Sequence, residues 1–230
     1  RKNDSLLHFV KPVFDRRVFL KTCTNGSSEL MTNLSMSLVN ALYNLQLMKI
    51  AGENGVAAYG AVMYVNFIFV ATFLGYAIGC APVISYHYGA GNHAELKNLY
   101  KKSMSIILVW GVILFGAAQL LAPVLSKIFV GYNTGLYAMT LHGFRVYAIA
   151  FLIIGINIFG SSFFTALNNG LISAVISFLR TLVFQVILVL TLPLWFGING
   201  IWSAISIAEA LTLIMTTTFF VRQKDKYHYL

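Results

Sequence analysis

Near the start of the sequence a stretch of mixed polarity, too polar in places for a purely apolar window, carries Asn25, Glu29, Asn33, Ser37, Asn40 and Asn44 besides Ser27, Ser28, Thr32 and Ser35; the first six share a helical spacing. Their successive steps of four, four, four, three and four place them on one face of a helix, opposite Leu30, Leu34, Leu38, Leu42 and Leu45. Such a seam within a bilayer is costly unless it borders a hydrated cavity or pairs with other helices. Asn and Ser can serve purely as interhelical hydrogen-bonding partners. Glu29 is different, because a carboxylate at bilayer depth costs about 2.5–3.5 kcal/mol on insertion scales and a Gln would pack more cheaply. The chemistry it offers is exchange of a small cation. Desolvation favours the protonated form of any carboxylate, so such a group holds a proton when closed off and releases it, or swaps it for Na⁺ or a cationic solute, when hydrated. The expectation is that Glu29 couples to a cation while Asn25, Asn33, Ser37 and Asn40 line a solute path.

Glu209 is a second embedded acid, about midway between Trp195 and Arg222, with Asn199, Ser203, Ser206, Thr212 and Thr216 near its face. A salt bridge to Arg180 or Arg145 is the plain alternative to a functional role. Asn157, between Gly155 and Gly160, could face the same interior or make a packing contact. Gly75 and Gly79 form a GxxxG that reads as a helix-packing site, and Pro82 should bend or end its helix. Cys23 and Cys80 lack CxxC partners and read as two small buried thiols. The five histidines have no metal-ligand spacing. No HExxH, GxSxG or P-loop is present, so an enzyme is not expected. No cofactor is expected beyond a coupling Na⁺ or H⁺.

The elements that must position these residues follow from composition. The chain is 58% hydrophobic and 10% charged, with a mean hydropathy of +0.77 and a net charge of +9. Soluble domains average about 25% charged and about 45–50% apolar residues, so an all-α integral membrane protein is expected. Six apolar stretches can be marked: 20–48, 56–85, 104–122, 141–167, 171–192 and 200–221. With six crossings, one face collects Arg1, Lys2, Lys11, Arg16, Arg17, Lys21, Lys97, Lys101, Lys102, Arg222, Lys224 and Lys226, against Lys49 and Lys127 on the other. If the first stretch does not cross, that asymmetry vanishes. Cytoplasmic loops collect Lys and Arg, so six spans with both ends cytoplasmic are predicted. The expected division is a cytoplasmic linker (1–19), a six-helix transmembrane lobe (20–221) and a cytoplasmic tail (222–230). Turns are expected at Asn168-Asn169-Gly170 and Pro193–Gly197, and a short interfacial helix within 123–132. The basic residues sit at span ends, where anionic lipids attract them at about 1 kcal/mol each, so membrane lipids rather than nucleic acid are the expected partners. The opening segment, basic and without a signal-peptide pattern, suggests a piece of a longer protein.

Three motifs bring a resemblance. Phe163-Phe164-Thr165-Ala166-Leu167-Asn168-Asn169-Gly170, followed by Ile172-Ser173 and Ser177-Phe178-Leu179-Arg180, resembles the turn between the tenth and eleventh helices of multidrug and toxic compound extrusion (MATE) transporters. Pro193 to Trp202 looks like that family's approach to its last helix. Tyr88-Gly89-Ala90-Gly91-Asn92, with the basic helix Lys97 to Lys102, is similar to its loop after the eighth helix. The resemblance implies the C-terminal lobe of a twelve-helix transporter, paired with an N-terminal lobe around a V-shaped cavity. It also implies export of cationic drugs or toxins in exchange for Na⁺ or H⁺, and it puts Glu29 where many relatives carry a coupling acid. Leu171 departs from the basic residue common in relatives. Ala208-Glu209 and the Phe163–Gly170 turn suggest a bacterial plasma-membrane exporter of xenobiotics. Two other functions are weighed: a flippase of lipid-linked sugars, which would need both Arg145 and Arg180 in the cavity, and a non-transporting membrane scaffold or channel subunit.

Overall fold

The structure, a computed structural model, describes residues 14–229, and every regular element among them is a helix. In chain order these are α1 (Arg16–Gly89), α2 (His93–Val130), α3 (Thr134–Ala148), α4 (Phe151–Ala166), α5 (Gly170–Phe178), a π-helical segment (Leu179–Val183), α6 (Phe184–Phe196) and α7 (Ile198–Tyr227). Asp15 starts α1, its carboxylate accepting the backbone N–H groups of Arg17 at 2.7 Å and Val18 at 3.3 Å, two donors a helix start leaves without a partner.

α1 has 74 residues and would run about 110 Å if straight. It folds back instead. Gly52 takes φ 63°, ψ −154°, a conformation only glycine adopts without strain, and beyond it the chain returns alongside itself. The rings of Tyr43 and Tyr59 stack at 5.1 Å with 7° between planes, although sixteen residues of straight helix would separate them by about 24 Å. α1 is thus a hairpin of two arms, residues 16–51 and 53–89.

The remaining chain alternates between the two ends of the bundle. At one end Tyr88 meets Tyr227, His93 meets His228 with 4.9 Å between ring centroids, and Asn169 Nδ2 donates to the Tyr227 hydroxyl at 2.9 Å. At the other end Tyr64 stacks on Phe129, and His142 Nε2 lies 2.8 Å from Asn199 Oδ1. Four helices are long and apolar enough to cross a membrane, or five if α3 and α4, bent by 49° at their junction, form one span. These features make the chain a multi-pass membrane protein.

Several local expectations need correction. No separate interfacial helix occurs within 123–132: α2 runs through Pro123 to Val130. The reason is packing, since Leu114, Ala118, Ala122, Ser126 and Val130 recur every four residues on one continuously buried face that outweighs the one backbone hydrogen bond a proline deletes. α1 likewise continues through Pro82 to Gly89, held there by buried Ile84 and by Ser85 Oγ donating to the Ala166 carbonyl at 2.9 Å. The turn expected over Pro193–Gly197 contracts to Gly197 alone, because α6 includes Pro193 and ends at Phe196. Cys23 is exposed rather than buried. Gly75 and Gly79 face open space within the chain. Close helix approach occurs elsewhere, at Gly143 against Trp202, Gly155 against Phe73 and Gly160 against Thr216. The turn at Asn168-Asn169-Gly170 is present as expected, with Asn168 left-handed and Asn169 Oδ1 accepting the Ile172 N–H.

Candidate functional site

The site is built from three helices that meet in the bundle interior. α7 carries Glu209, which is 1% exposed. The π-helical segment carries Arg180, whose Nε donates to Glu209 Oε1 at 2.8 Å and Oε2 at 3.1 Å. α4 contributes Asn157, fully buried, whose Nδ2 donates to Glu209 Oε2 at 2.7 Å and to the Glu209 carbonyl at 2.9 Å. Both carboxylate oxygens therefore accept at least one hydrogen bond. A charge at this depth is tolerable only when paired and hydrogen-bonded, and the pair is neutral as a unit. One-turn π segments inside α-helices are frequent at functional sites because the wider turn re-aims side chains; here that turn holds the arginine. Asn157 Oδ1 is buried without a partner among the described residues.

Beside this cluster lies a cavity of about 360 Å³. The first arm of α1 lines it with Met36, Ser37, Asn40 and Tyr43, and the second arm with Tyr59, Met63, Asn66 and Phe67. Tyr147 of α3, Ile154 and Ile158 of α4, and Arg180, Gln185 and Glu209 also line it. The Tyr43 hydroxyl and Asn66 Oδ1 are buried with no partner among the described residues. A second recess of about 730 Å³ adjoins it and shares Asn40, Tyr59, Met63 and Phe67, with Asn44, Tyr64 and Phe129 on its rim.

The expected site residues fall into four groups. Ser37 and Asn40 line the cavity with Glu209, whereas Asn157 lies behind the wall and reaches it only through Glu209. Asn33 is exposed. Glu29 and Asn25 have side chains that lie outside the described residues, although both belong to α1. Of the two arginines, Arg180 reaches the wall; Arg145 is exposed, and its backbone carbonyl accepts from Gln119 Nε2 at 3.0 Å. The sequence reading missed Tyr43, Tyr59, Asn66 and Gln185. Asn66 and Gln185 carried a usable signal as lone amides in apolar runs, and Tyr43 sits three residues beyond Asn40 on the seam itself. Among the described residues no group of three or more His, Cys, Asp or Glu is placed to hold a metal ion.

Fold and site together define a polytopic helical membrane protein whose interior holds a buried ion pair beside a cavity. The model of the MatE family matches residues 30–191, and the chain belongs to that family. Its members are transporters, not enzymes. A comparison with curated proteins finds no match. Among solved structures, the fold is similar to a MATE protein in the bent conformation (TM-score 0.88, 20% identity, covering 97% of this chain and 50% of that one). It is similar to an outward-facing multidrug resistance MATE family transporter of the MOP superfamily (TM-score 0.85, 20% identity, 94% of this chain and 48% of that one). An inward-facing one is also similar (TM-score 0.82, 20% identity, 94% and 50%). The chain spans about half the length of these structures.

Proposed function

We propose that this chain is the C-terminal lobe of a two-lobed secondary antiporter of a plasma membrane, exporting small organic solutes or drugs in exchange for Na⁺ or H⁺. The observation that carries the reading is that Ser37 and Asn40, from the polar seam of α1, share one cavity wall with the buried acid Glu209 and its partner Arg180. A hydrophilic seam at bilayer depth is stabilised by an aqueous border or by pairing with other helices, and the cavity beside Ser37 and Asn40 supports the first. The seam continues by helical steps to Glu29, which we assign as the coupling acid. Six crossings follow if the two arms of α1, α2, the bent α3–α4 pair, the α5-to-α6 rod and α7 each cross once. The fold-back at Gly52 supports that count. Comparable likeness to outward-facing and inward-facing structures supports a lobe that keeps its shape while rocking against another, the usual motion of two-lobed transporters.

The test is efflux from vesicles holding the full-length protein, assayed with fluorescent organic cations, anions and neutral drugs under a Na⁺ gradient or a pH gradient alone. Glu29→Gln should abolish gradient-driven export while leaving the protein folded. Wild-type coupled export by that variant would remove Glu29 from the mechanism. A flippase of lipid-linked sugars would call for both Arg145 and Arg180 in the cavity, and only Arg180 lines it. A channel or scaffold would give no solute-dependent ion flux in the same vesicles.

A further inference from the structure

We infer that the cavity of this lobe recognises the oxyanion of an amphipathic organic solute, a carboxylate or phosphate, on the outer edge of Arg180. This rests on the transport reading above and names its solute class. The embedded acid suggests a cationic cargo at first sight, yet both Glu209 oxygens already accept hydrogen bonds and its charge is matched by Arg180. Oε1 accepts from Arg180, Oε2 accepts from both Arg180 and Asn157, and the residue is 1% exposed. The guanidinium is less fully engaged. Only Nε donates to Glu209, and among the described residues neither terminal nitrogen has a hydrogen-bond partner; the side chain is 15% exposed, and Arg180 is one of the residues that line the cavity.

A guanidinium fixed through Nε presents the parallel N–H groups of its remaining edge in the planar geometry that carboxylate and phosphate fill in bidentate fashion. The Glu209 anchor sets that plane, so little side-chain entropy remains to be lost on binding. The Tyr43 hydroxyl, buried in the same wall and without a partner among the described residues, adds a donor. Met36, Met63, Phe67, Val70 and Leu74 offer the apolar body a flexible, largely non-polar surface.

The experiment is equilibrium binding to the full-length protein in lipid nanodiscs of three probes with one ring system: 2-naphthoate, 2-naphthol and 2-naphthyltrimethylammonium. Naphthoate should bind at least tenfold tighter than the other two. Arg180→Lys keeps the charge and can still pair with Glu209 but loses the fork, and should weaken naphthoate at least tenfold while naphthol binding stays within twofold. If that variant does not fold, Arg180→Gln/Glu209→Gln removes both charges together and should erase the preference. Tighter binding of the ammonium probe, equal binding of all three, no naphthoate binding to folded wild-type protein, or an unchanged preference in the folded variants would overturn the inference. The naphthoate preference in a protein that exports nothing would count for this site and against the antiporter. Export with an ammonium preference would do the reverse.

Discussion

Glu209, Arg180 and Asn157 show how a charge survives in the interior of a membrane protein. Removing one member of a buried ion pair leaves the other uncompensated at a cost of about 3–5 kcal/mol, whereas replacing both by apolar residues is often close to neutral. Glu209→Leu should therefore lower the thermal midpoint of the detergent-solubilised full-length protein sharply, because it strands Arg180 and the Asn157 amide. Arg180→Leu/Glu209→Leu should recover most of that loss. A double variant no more stable than Glu209→Leu would mean that Arg180 has no energetic stake in the carboxylate. At this scale the sequence was informative about types and depth: Glu209 stands out in an apolar run, and Arg180 was one of two named partners. It could not choose between Arg180 and Arg145, because the choice depends on a π turn that no residue pattern announces. Nor could it reveal that Asn157 supports the acid instead of facing the cavity.

At the scale of elements, glycine spacing misleads while glycine geometry does not. The GxxxG of Gly75 and Gly79 has the sequence form of a packing site, but a methyl group at either would meet open space within this chain. A Cβ at Gly155 would run into the Phe73 ring and Ile107, so Gly155→Val should cost about 1–3 kcal/mol by overpacking. Gly75→Ala should leave lobe packing unchanged, to within about 0.5 kcal/mol. Gly52 is set by backbone conformation rather than by contact. With φ 63° and ψ −154° and free space around its Cα, Gly52→Ala should cost of order 1–3 kcal/mol from strain alone. Thermal unfolding of the three variants separates these mechanisms, and an innocuous Gly52→Ala would mean the hairpin reverses some other way. Hydropathy located the second arm of α1, whereas the first arm, too polar for an apolar window, was assigned as a span by the distribution of Lys and Arg. The expected interruptions at Pro123 and Pro193 do not occur, because a proline ends a helix only where packing does not carry the helix through.

At the scale of the whole molecule, the gathering of basic residues at one end of the bundle was legible through charge, while the cavity was almost invisible through pattern. Lys97, Lys101 and Lys102 lie just inside α2, and Arg222, Lys224 and Lys226 lie at the end of α7, so the contact of His93 with His228 gathers both groups at one end. That is the distribution anionic cytoplasmic lipids favour, at about 1 kcal/mol per residue. The cavity could not be read in this way, since its wall is assembled from segments as far apart as Ser37 and Glu209. The topology has its own test. Arg17, Lys97, Asn168 and Lys224 are exposed at one set of helix ends, and Glu53 and Tyr132 at the other. Single cysteines at these six positions, in a Cys23→Ser/Cys80→Ser background of the full-length protein, can be probed on intact cells with a membrane-impermeant maleimide. Only Glu53→Cys and Tyr132→Cys should label without permeabilisation. Labelling of Arg17→Cys together with Glu53→Cys would mean that the first arm of α1 does not cross. The seam would then have no aqueous interior to border, and the coupling role assigned to Glu29 would fall with it.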